Sequence, residues 1–147
     1  NLSVGKLRAE GYLQALKNNN ISVNNKIILR TDSEEGLNEN IEAIFDNNVI
    51  DGIFALDEND SVAALKMGVK KGYSIPENLS IIGFADGILA SRRLSPSLTT
   101  VSQHGIEIGE VAAKLLIERL ESKEENVVYV TKVIKTKLKE RESTRNL

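Results

Sequence analysis

Short apolar runs alternate with longer amphipathic stretches along most of the chain. Three runs are too short for helices and rich in β-branched residues: 26–29 (KIIL), 50–56 (IDGIFAL) and 81–84 (IIGF). Runs of this kind, bounded by polar and turn residues, indicate buried strands. A further extended piece is predicted at 98–101 (LTTV), just after Pro96.

Between these runs, apolar residues recur at helical spacing. The first predicted helix runs from 3 to about 17 and ends at the asparagines 18–20. The second takes its cap from residues 31–33 and ends at 47–48. Its apolar stripe comprises Leu37, Ile41, Ile44 and Phe45.

Two more helices follow in the second half of the chain. The third is predicted to begin at Asp57 and to stop at Gly72, with Val62, Leu65 and Val69 on its apolar stripe. The fourth has the strongest helical pattern in the chain. Its apolar positions are Ile106, Ile108, Val111, Ala112, Leu115, Leu116 and Leu120. Residues 127–134 are β-branched and read as extended, and the last residues read as a frayed tail.

Strand and helix alternate at a spacing that favours βαβ units with right-handed crossovers. The predicted fold class is therefore α/β, a three-layer α/β/α sandwich with a mainly parallel sheet. Gly11 falls inside the first helix, where glycine costs about 1 kcal/mol relative to alanine. We expect it to serve close packing.

Composition limits the classes of function. The chain has 147 residues, a formal net charge of −2 and no cysteine, which argues against a DNA-binding basic face, a disulfide framework and a cysteine zinc site. No stretch approaches the roughly 18 apolar residues of a membrane span. The alternating lysines from 132 to 139 read as a solvated strand face, and no nucleotide-binding glycine motif or nucleophile elbow occurs. We expect no cofactor, no metal and no catalytic residue.

Acidic residues follow two of the predicted strands. Asp57 and Glu58 come after the run at 50–56, and Asp86 comes after the run at 81–84. In an open parallel sheet, ligands bind beyond the carboxyl ends of the strands. Carboxylates there suit the vicinal hydroxyls of a sugar, or general acid/base work in a glycosidase. The alternative is that an acid at 57 or 58 only caps the third helix.

Three further polar residues have an ordinary structural explanation beside a functional one. Arg8 lies on the first helix, and the ordinary explanation for an arginine there is a side chain exposed to solvent. Gln103 and His104 stand at the start of the fourth helix, where helix capping would explain both. The single histidine makes a zinc site improbable, so His104 is expected to be structural.

An ordered series of blocks resembles the C-terminal half of the effector-binding core of LacI-family transcriptional regulators. The blocks are Arg8 with Gly11 and Tyr12, then IPENLSIIGFADG, then SPSLTTVSQHGIEIGEVAAKLLIERL, then REST at 141–144. The family's core is similar to periplasmic sugar-binding proteins. The resemblance implies two lobes that close on a small effector, such as a sugar.

The resemblance also implies which residues contact the effector. They are the arginine matching Arg8, the pair matching Asp57 and Glu58, the acid after the run at 81–84, here Asp86, and Gln103 on the hinge side of the cleft. This sequence departs from the family's usual pattern at two of these blocks. Asp57–Glu58 replaces the usual Asn-Asp pair, and Ala85–Asp86 replaces an Asp-Asp pair, so the effector cannot be copied from a relative.

The resemblance further implies a domain plan. Residues 1–100 would form the C-terminal lobe, and residues 101–147 would cross back to an N-terminal lobe that is missing, as is the helix-turn-helix head. We therefore expect a cytoplasmic fragment that forms homodimers and reaches operator DNA only through the absent head, with no membrane partner. The alternative is a fragment of a periplasmic or ABC-type sugar-binding protein.

Overall fold

The computed structural model describes residues 3–30, 36–84, 87, 94–122 and 129–145. Those ranges contain four α-helices and four strands, together with a short 3-10 helix at Asn25–Ile27. The helices are α1 (Ser3–Asn18), α2 (Leu37–Asn47), α3 (Glu58–Lys70) and α4 (Gly105–Glu121). The strands are β1 (Gly52–Phe54), β2 (Ser80–Phe84), β3 (Thr99–Ser102) and β4 (Lys137–Lys139).

The strands form one open sheet in the order β1-β2-β3-β4. Strand β2 is central and pairs in parallel with both neighbours, Ile81 lying opposite Ile53 and Phe84 opposite Val101. Strand β4 adds to β3 in the antiparallel sense. The predicted α/β class with a mainly parallel sheet is confirmed.

The core lies between the sheet and the α2–α3 pair. Leu79, Ile81 and Leu98 have no exposed surface, and Ile41 and Phe45 of α2 pack into the same cluster. Helix α3 approaches the sheet closely at Gly68, where a Cβ atom would lie only 2.8 Å from Leu79 Cδ2. The buried positions of α3 coincide with the predicted apolar stripe only at Leu65. They are Ser61, Ala64, Leu65, Met67 and Gly68. The prediction for Val69 was wrong, since 56% of it is exposed.

Helix α1 contacts the opposite face of the sheet. Phe54 and Phe84 alternate with core residues along β1 and β2 and therefore project to the other side. The ring of Tyr12 stacks near that of Phe54, with centroids 6.3 Å apart. The sheet is thus the middle of three layers, as predicted.

Helix α1 ends where the asparagines were predicted to end it. Asn20 takes a left-handed conformation (φ 57°) that asparagine tolerates better than most residues. Ile21 N then donates to the carbonyl of Leu16 at 2.9 Å, which satisfies one of the helix's terminal acceptors. The expectation that Gly11 serves close packing was wrong, since nothing lies within 4 Å of where its Cβ would be.

The predicted strand at 26–29 is wrong. This segment forms part of a 3-10 turn at Asn25–Ile27, in which Asn24 Oδ1 accepts a hydrogen bond from Lys26 N at 3.0 Å. A short apolar run makes a strand only when a neighbouring strand supplies the ladder bonds, and β1 forms the edge of the described sheet. The predicted cap at 31–33 lies outside the described residues; α2 begins at Leu37, directly after Gly36 (φ 85°).

The prediction of a frayed C-terminal tail is wrong for residues 142–144. Ser143 is fully buried, and its Oγ donates to Ile81 O at 2.5 Å and accepts from Thr99 N at 2.8 Å. Its backbone N donates to Ser97 O at 3.0 Å, and Arg141 Nη1 donates to Leu98 O. A polar segment carries no apolar pattern from which burial could be predicted. Backbone and hydroxyl groups at the amino ends of β2 and β3 nevertheless hold it by hydrogen bonds.

Helix α4 is confirmed, and its apolar face stays largely open. None of its residues is buried, and Ile106 and Leu120 are 82% and 75% exposed. Of the segment predicted to be extended, residues 127–128 lie outside the described part. Within 129–136 no ladder pairing forms, and the strand begins at Lys137.

Candidate ligand-binding site

Arg8 connects three strand ends on the α1 side of the sheet. Its Nη1 donates to the carbonyl of Leu56 at 2.5 Å, just after β1. Its Nη2 donates to Gln103 Oε1 at 3.3 Å, just after β3. The guanidinium carbon lies 3.9 Å from the centre of the Phe84 ring, at the end of β2. Arg8 is therefore partly buried and engaged, rather than a solvated helix arginine.

These contacts are strong enough to fix the guanidinium. A hydrogen bond to a charged group contributes about 1.5–3 kcal/mol, and a cation over an aromatic face about 0.5–2 kcal/mol. The Leu56 carbonyl lies just after β1, and the Phe84 ring lies at the end of β2. Arg8 thus sits at the carboxyl edge of the parallel strands, where open α/β sheets bind ligands.

Asp57 caps α3. Its side chain accepts from Asp60 N at 2.8 Å, and its backbone carbonyl accepts from Ser61 Oγ at 2.5 Å. The capping explanation considered for this acid is therefore confirmed, and one carboxylate oxygen is committed to it. Burial, followed by the nearby Asp57 charge, raises the pKa of Asp60. Acidic groups are thus concentrated at this helix N-terminus.

Glu58 reaches across to the end of β2. A Cβ atom at position 87 would collide with the carboxylate of Glu58, so the glycine leaves the space that this carboxylate occupies. Glu58 is partly buried there. Asp86, the other predicted rim acid, lies outside the described residues, as does Ala85. The structure therefore brings Glu58 to the chain neighbour of Asp86.

Gln103 and His104 connect β3 to α4. Gln103 is partly buried and bonds to Arg8 instead of capping the helix. His104 occupies the N-cap position in a left-handed conformation (φ 54°, ψ 47°), without a side-chain capping bond. Its Nδ1 lies 3.7 Å from Glu107 Oε2. The capping explanation predicted that the side chains of these two residues bond to backbone groups at the start of α4, and neither of them does.

An open cleft of about 700 Å³ adjoins Arg8. Helix α1 forms one wall, the two phenylalanines of the sheet form its floor, and α4 contributes Ile108. The lining is mostly apolar, and Arg8, Gln103 and Thr136 contribute polar groups. A second depression of about 430 Å³ lies near residues 25–30, away from this edge.

The arrangement suits recognition by hydrogen bonds. Its carboxylates accept hydrogen bonds and its guanidinium and amide groups donate them, a combination that polyhydroxylated ligands can match. Among the described residues, no three His, Asp or Glu side chains are grouped so that they could bind a metal ion. No helix in the described part of the chain is long and apolar enough to cross a membrane.

Sequence reasoning missed three contributors to this site. Phe84 was counted only as part of a buried strand and Gly87 only as a turn or packing glycine, and the Leu56 carbonyl was not considered. Strand alternation could have found Phe84, because it places this ring on the face opposite Ile81. The contacts of Leu56 and Gly87 depend on backbone position, which side-chain type does not encode.

Comparison with known proteins identifies the family of this chain. The family model described as periplasmic binding protein-like domain matches residues 1–144. The HTH-type transcriptional regulator MalR of Clostridium butyricum is 32% identical over 148 residues, covering 99% of this chain and 43% of the relative. This chain thus spans less than half of that protein's length.

Solved structures of similar regulators have the same fold as this chain. A periplasmic binding protein/LacI transcriptional regulator from Alkaliphilus metalliredigens, complexed with D-xylulofuranose, is 28% identical with a TM-score of 0.76, over 96% of this chain and 52% of that one. A LacI family transcriptional regulator from Arthrobacter sp., in complex with lactose, is 27% identical with a TM-score of 0.75, over 94% and 50%. The chain therefore belongs to the periplasmic binding protein-like family, in the form found in LacI-family transcriptional regulators.

Proposed function

We propose that this chain is the C-terminal part of the effector-sensing core of a LacI-family regulator, and that its effector is a sugar or a related small molecule. The observation that carries the proposal is the position of Arg8, which joins the carboxyl ends of three parallel strands next to an open cleft. The proposed effector contacts are Arg8, Asp57, Glu58, Asp86 and Gln103.

The chemistry of this edge supports a polyol ligand. Adjacent hydroxyls both donate and accept hydrogen bonds, so they can bridge an acid such as Glu58 and a donor such as Arg8. The aromatic and apolar surfaces beside them suit the C–H faces of a sugar ring. Two similar regulators hold sugars in their solved structures.

In this proposal, closure of two lobes on the effector shifts the population of regulator conformations. Residues 1–100 supply one wall of the cleft, and residues 101–147 lead back to the other lobe. A helix-turn-helix head elsewhere in a longer protein would bind operator DNA in the cytoplasm. The exposed apolar face of α4 would be covered in that protein or in a homodimer.

Binding to this chain can be tested with a panel of sugars. Thermal unfolding would be followed with D-xylulose, lactose and D-ribose, and hits measured by calorimetry. At a ligand concentration of about 100 times Kd, binding stabilises by about 2.7 kcal/mol, which raises the Tm of a domain this size by roughly 5–10 °C. A panel that leaves the Tm unchanged, in this chain and in the product of its full gene, contradicts the proposal.

A matched pair of variants tests the site. Glu58→Gln removes a proposed contact charge, whereas Glu39→Gln makes the same change in the first turn of α2, away from the cleft. Loss of a charged hydrogen bond of about 1.5–3 kcal/mol predicts binding weaker by roughly 10- to 100-fold in Glu58→Gln only. Equal affinity in the two variants contradicts the assigned site.

Catalysis is not part of the proposal. The similar proteins named above are transcriptional regulators, and the described geometry supplies binding groups without a positioned nucleophile. Incubation with nitrophenyl glycosides should release no nitrophenol above the rate in buffer. Turnover that disappears in Asp86→Asn would instead favour a carboxylate-pair hydrolase.

A further inference from the structure

We propose that the hydrogen bond between Arg8 and Gln103 fixes the direction in which α4 leaves the sheet. Gln103 is then a positioning residue, and the orientation of α4 depends on whether the Arg8 guanidinium keeps its hydrogen bond to Gln103. The positioning concerns this chain alone. Its use in effector sensing rests on the function proposed above.

The first support is the weak attachment of α4 to the rest of the chain. None of its residues is buried, and even Ile108, which faces the cleft, is 46% exposed. A helix with so little buried surface takes its direction from its junction rather than from packing. That junction is therefore the place where the orientation of α4 is decided.

The second support is the composition of the junction. Ser102, the last residue of β3, is 1% exposed and pairs with Lys137, so it belongs to the rigid sheet. Only Gln103 and His104 separate it from the first residue of α4. His104 has a left-handed backbone, which is unfavourable for a residue with a Cβ and needs support from its surroundings. The Gln103 side chain provides a tie to the body of the protein, through Arg8.

The third support is the ranking of the Arg8 contacts. The bond to Leu56 O measures 2.5 Å and the bond to Gln103 Oε1 measures 3.3 Å. Since N–H···O bonds are typically 2.9–3.0 Å, the Gln103 bond is the longer of the two. A ligand oxygen that approaches Nη2 competes first with Gln103. Arg8 meanwhile stays anchored by Leu56 and Phe84, and the junction of α4 is released.

Spin labels can measure this orientation because the chain contains no cysteine. Lys66→Cys on α3 and Lys114→Cys on α4 place labels at exposed positions on the two helices. Double electron–electron resonance should give one narrow distance distribution in the otherwise unchanged protein. Gln103→Leu should broaden it at least twofold, whereas Gln103→Glu, which keeps an acceptor and adds a charge, should leave it narrow.

The control is Gln14→Leu, the same change at an exposed position of α1. A distribution in Gln103→Leu as narrow as in this control overturns the proposal. Arg8→Met combined with Gln103→Leu should broaden the distribution no more than either change alone. Each change by itself already removes the same hydrogen bond, the one between Arg8 and Gln103. Additive broadening in a protein that circular dichroism finds folded contradicts action through Arg8.

A separate experiment tests whether a bound sugar changes the orientation of α4. A sugar that raises the Tm, added at a concentration that calorimetry shows to saturate both proteins, should broaden or shift the distance distribution of the unsubstituted protein and have little effect in Gln103→Leu. A bound sugar that leaves the distribution unchanged contradicts the transmission. If no sugar binds, the proposed function fails, while the comparison of Gln103→Leu with Gln14→Leu still decides whether Gln103 positions α4.

Discussion

Ser143 and Ile81 bond to each other twice, although 62 positions separate them in the chain. Ser143 Oγ donates to the Ile81 carbonyl, and the Ile81 amide donates to the Ser143 carbonyl at 2.8 Å. Both residues have no exposed surface. The C-terminal segment is thereby fastened between β2 and β3, at the end of the strands opposite the candidate site.

Removing the Ser143 hydroxyl should destabilise the fold. Ser143→Ala leaves the buried Ile81 carbonyl without this donor and the Thr99 amide without this acceptor. The expected loss is about 1–3 kcal/mol in the free energy of unfolding, or roughly 3–10 °C in Tm. Urea unfolding compared with Ser22→Ala, at an exposed position, measures it. Equal midpoints would mean that the segment does not hold the strands together.

Stability should fall in acid because of Glu142. Hydrogen bonds from Ser97 N and then Ser97 Oγ hold the pKa of this carboxyl below its usual value of 4.5. The unfolded state therefore binds the proton more tightly, so the contribution is complete above pH 4.5 and is lost as the pH falls through the lowered folded pKa.

Urea midpoints from pH 7 to pH 3 test this dependence. Glu142→Gln should reduce the acid-induced loss of stability relative to the unchanged protein, and Glu77→Gln, at an exposed position, should not. Glu42 acts in the same direction, because Lys70 and Lys71 lower its pKa. Identical pH profiles for Glu142→Gln and the unchanged protein would refute the role of the Ser97 bonds.

The capping role of Asp57 can be separated from its charge. Asp57→Ala removes the acceptor for Asp60 N and should cost about 0.5–2 kcal/mol. Asp57→Asn keeps an equally good N-cap and should change stability by less than about 0.5 kcal/mol. Thermal unfolding of both variants decides the point. A similar loss in the two would indicate that the charge, and not the cap, stabilises α3.

Gly11→Ala should stabilise the protein. The position lies within α1, and the space around its missing Cβ is open. Alanine should therefore gain about 0.5–1 kcal/mol from helix propensity, or roughly 2–4 °C in Tm. Gly68→Ala is the contrasting change, because its Cβ would meet Leu79 at 2.8 Å. A lower Tm for Gly11→Ala would imply close packing at this glycine after all.

Gly87→Ala should affect the site more than the fold. The new Cβ would collide with the carboxylate of Glu58, which is the mobile end of a flexible side chain. Displacement of that carboxylate should weaken sugar binding by roughly tenfold while the Tm changes by less than about 3 °C. Calorimetry on a sugar that binds measures the effect. Unchanged affinity would remove Glu58 from the proposed contacts.

Local chemistry in the sequence was sufficient for most helices and for the central strands. Signals at helix ends act over a few residues and can therefore be predicted without tertiary information. Examples are the asparagines that end α1, the Asp57 cap and the stop at Gly72. The Ile81–Phe84 run is strand-like by its own composition. The candidate site residues came from the family resemblance together with their places at strand ends, and their role in binding stays a prediction.

Tertiary structure decided what depends on partners distant in the chain. The apolar segment at 26–29 has strand composition but forms no ladder, because pairing requires a neighbour that composition cannot supply. The polar segment at 142–144 looks like a tail, yet buried backbone groups of Ile81 and Thr99 require its hydrogen bonds. In the same way, the sequence determined that Arg8 lies on a helix, and only the folded chain placed Leu56, Phe84 and Gln103 around it.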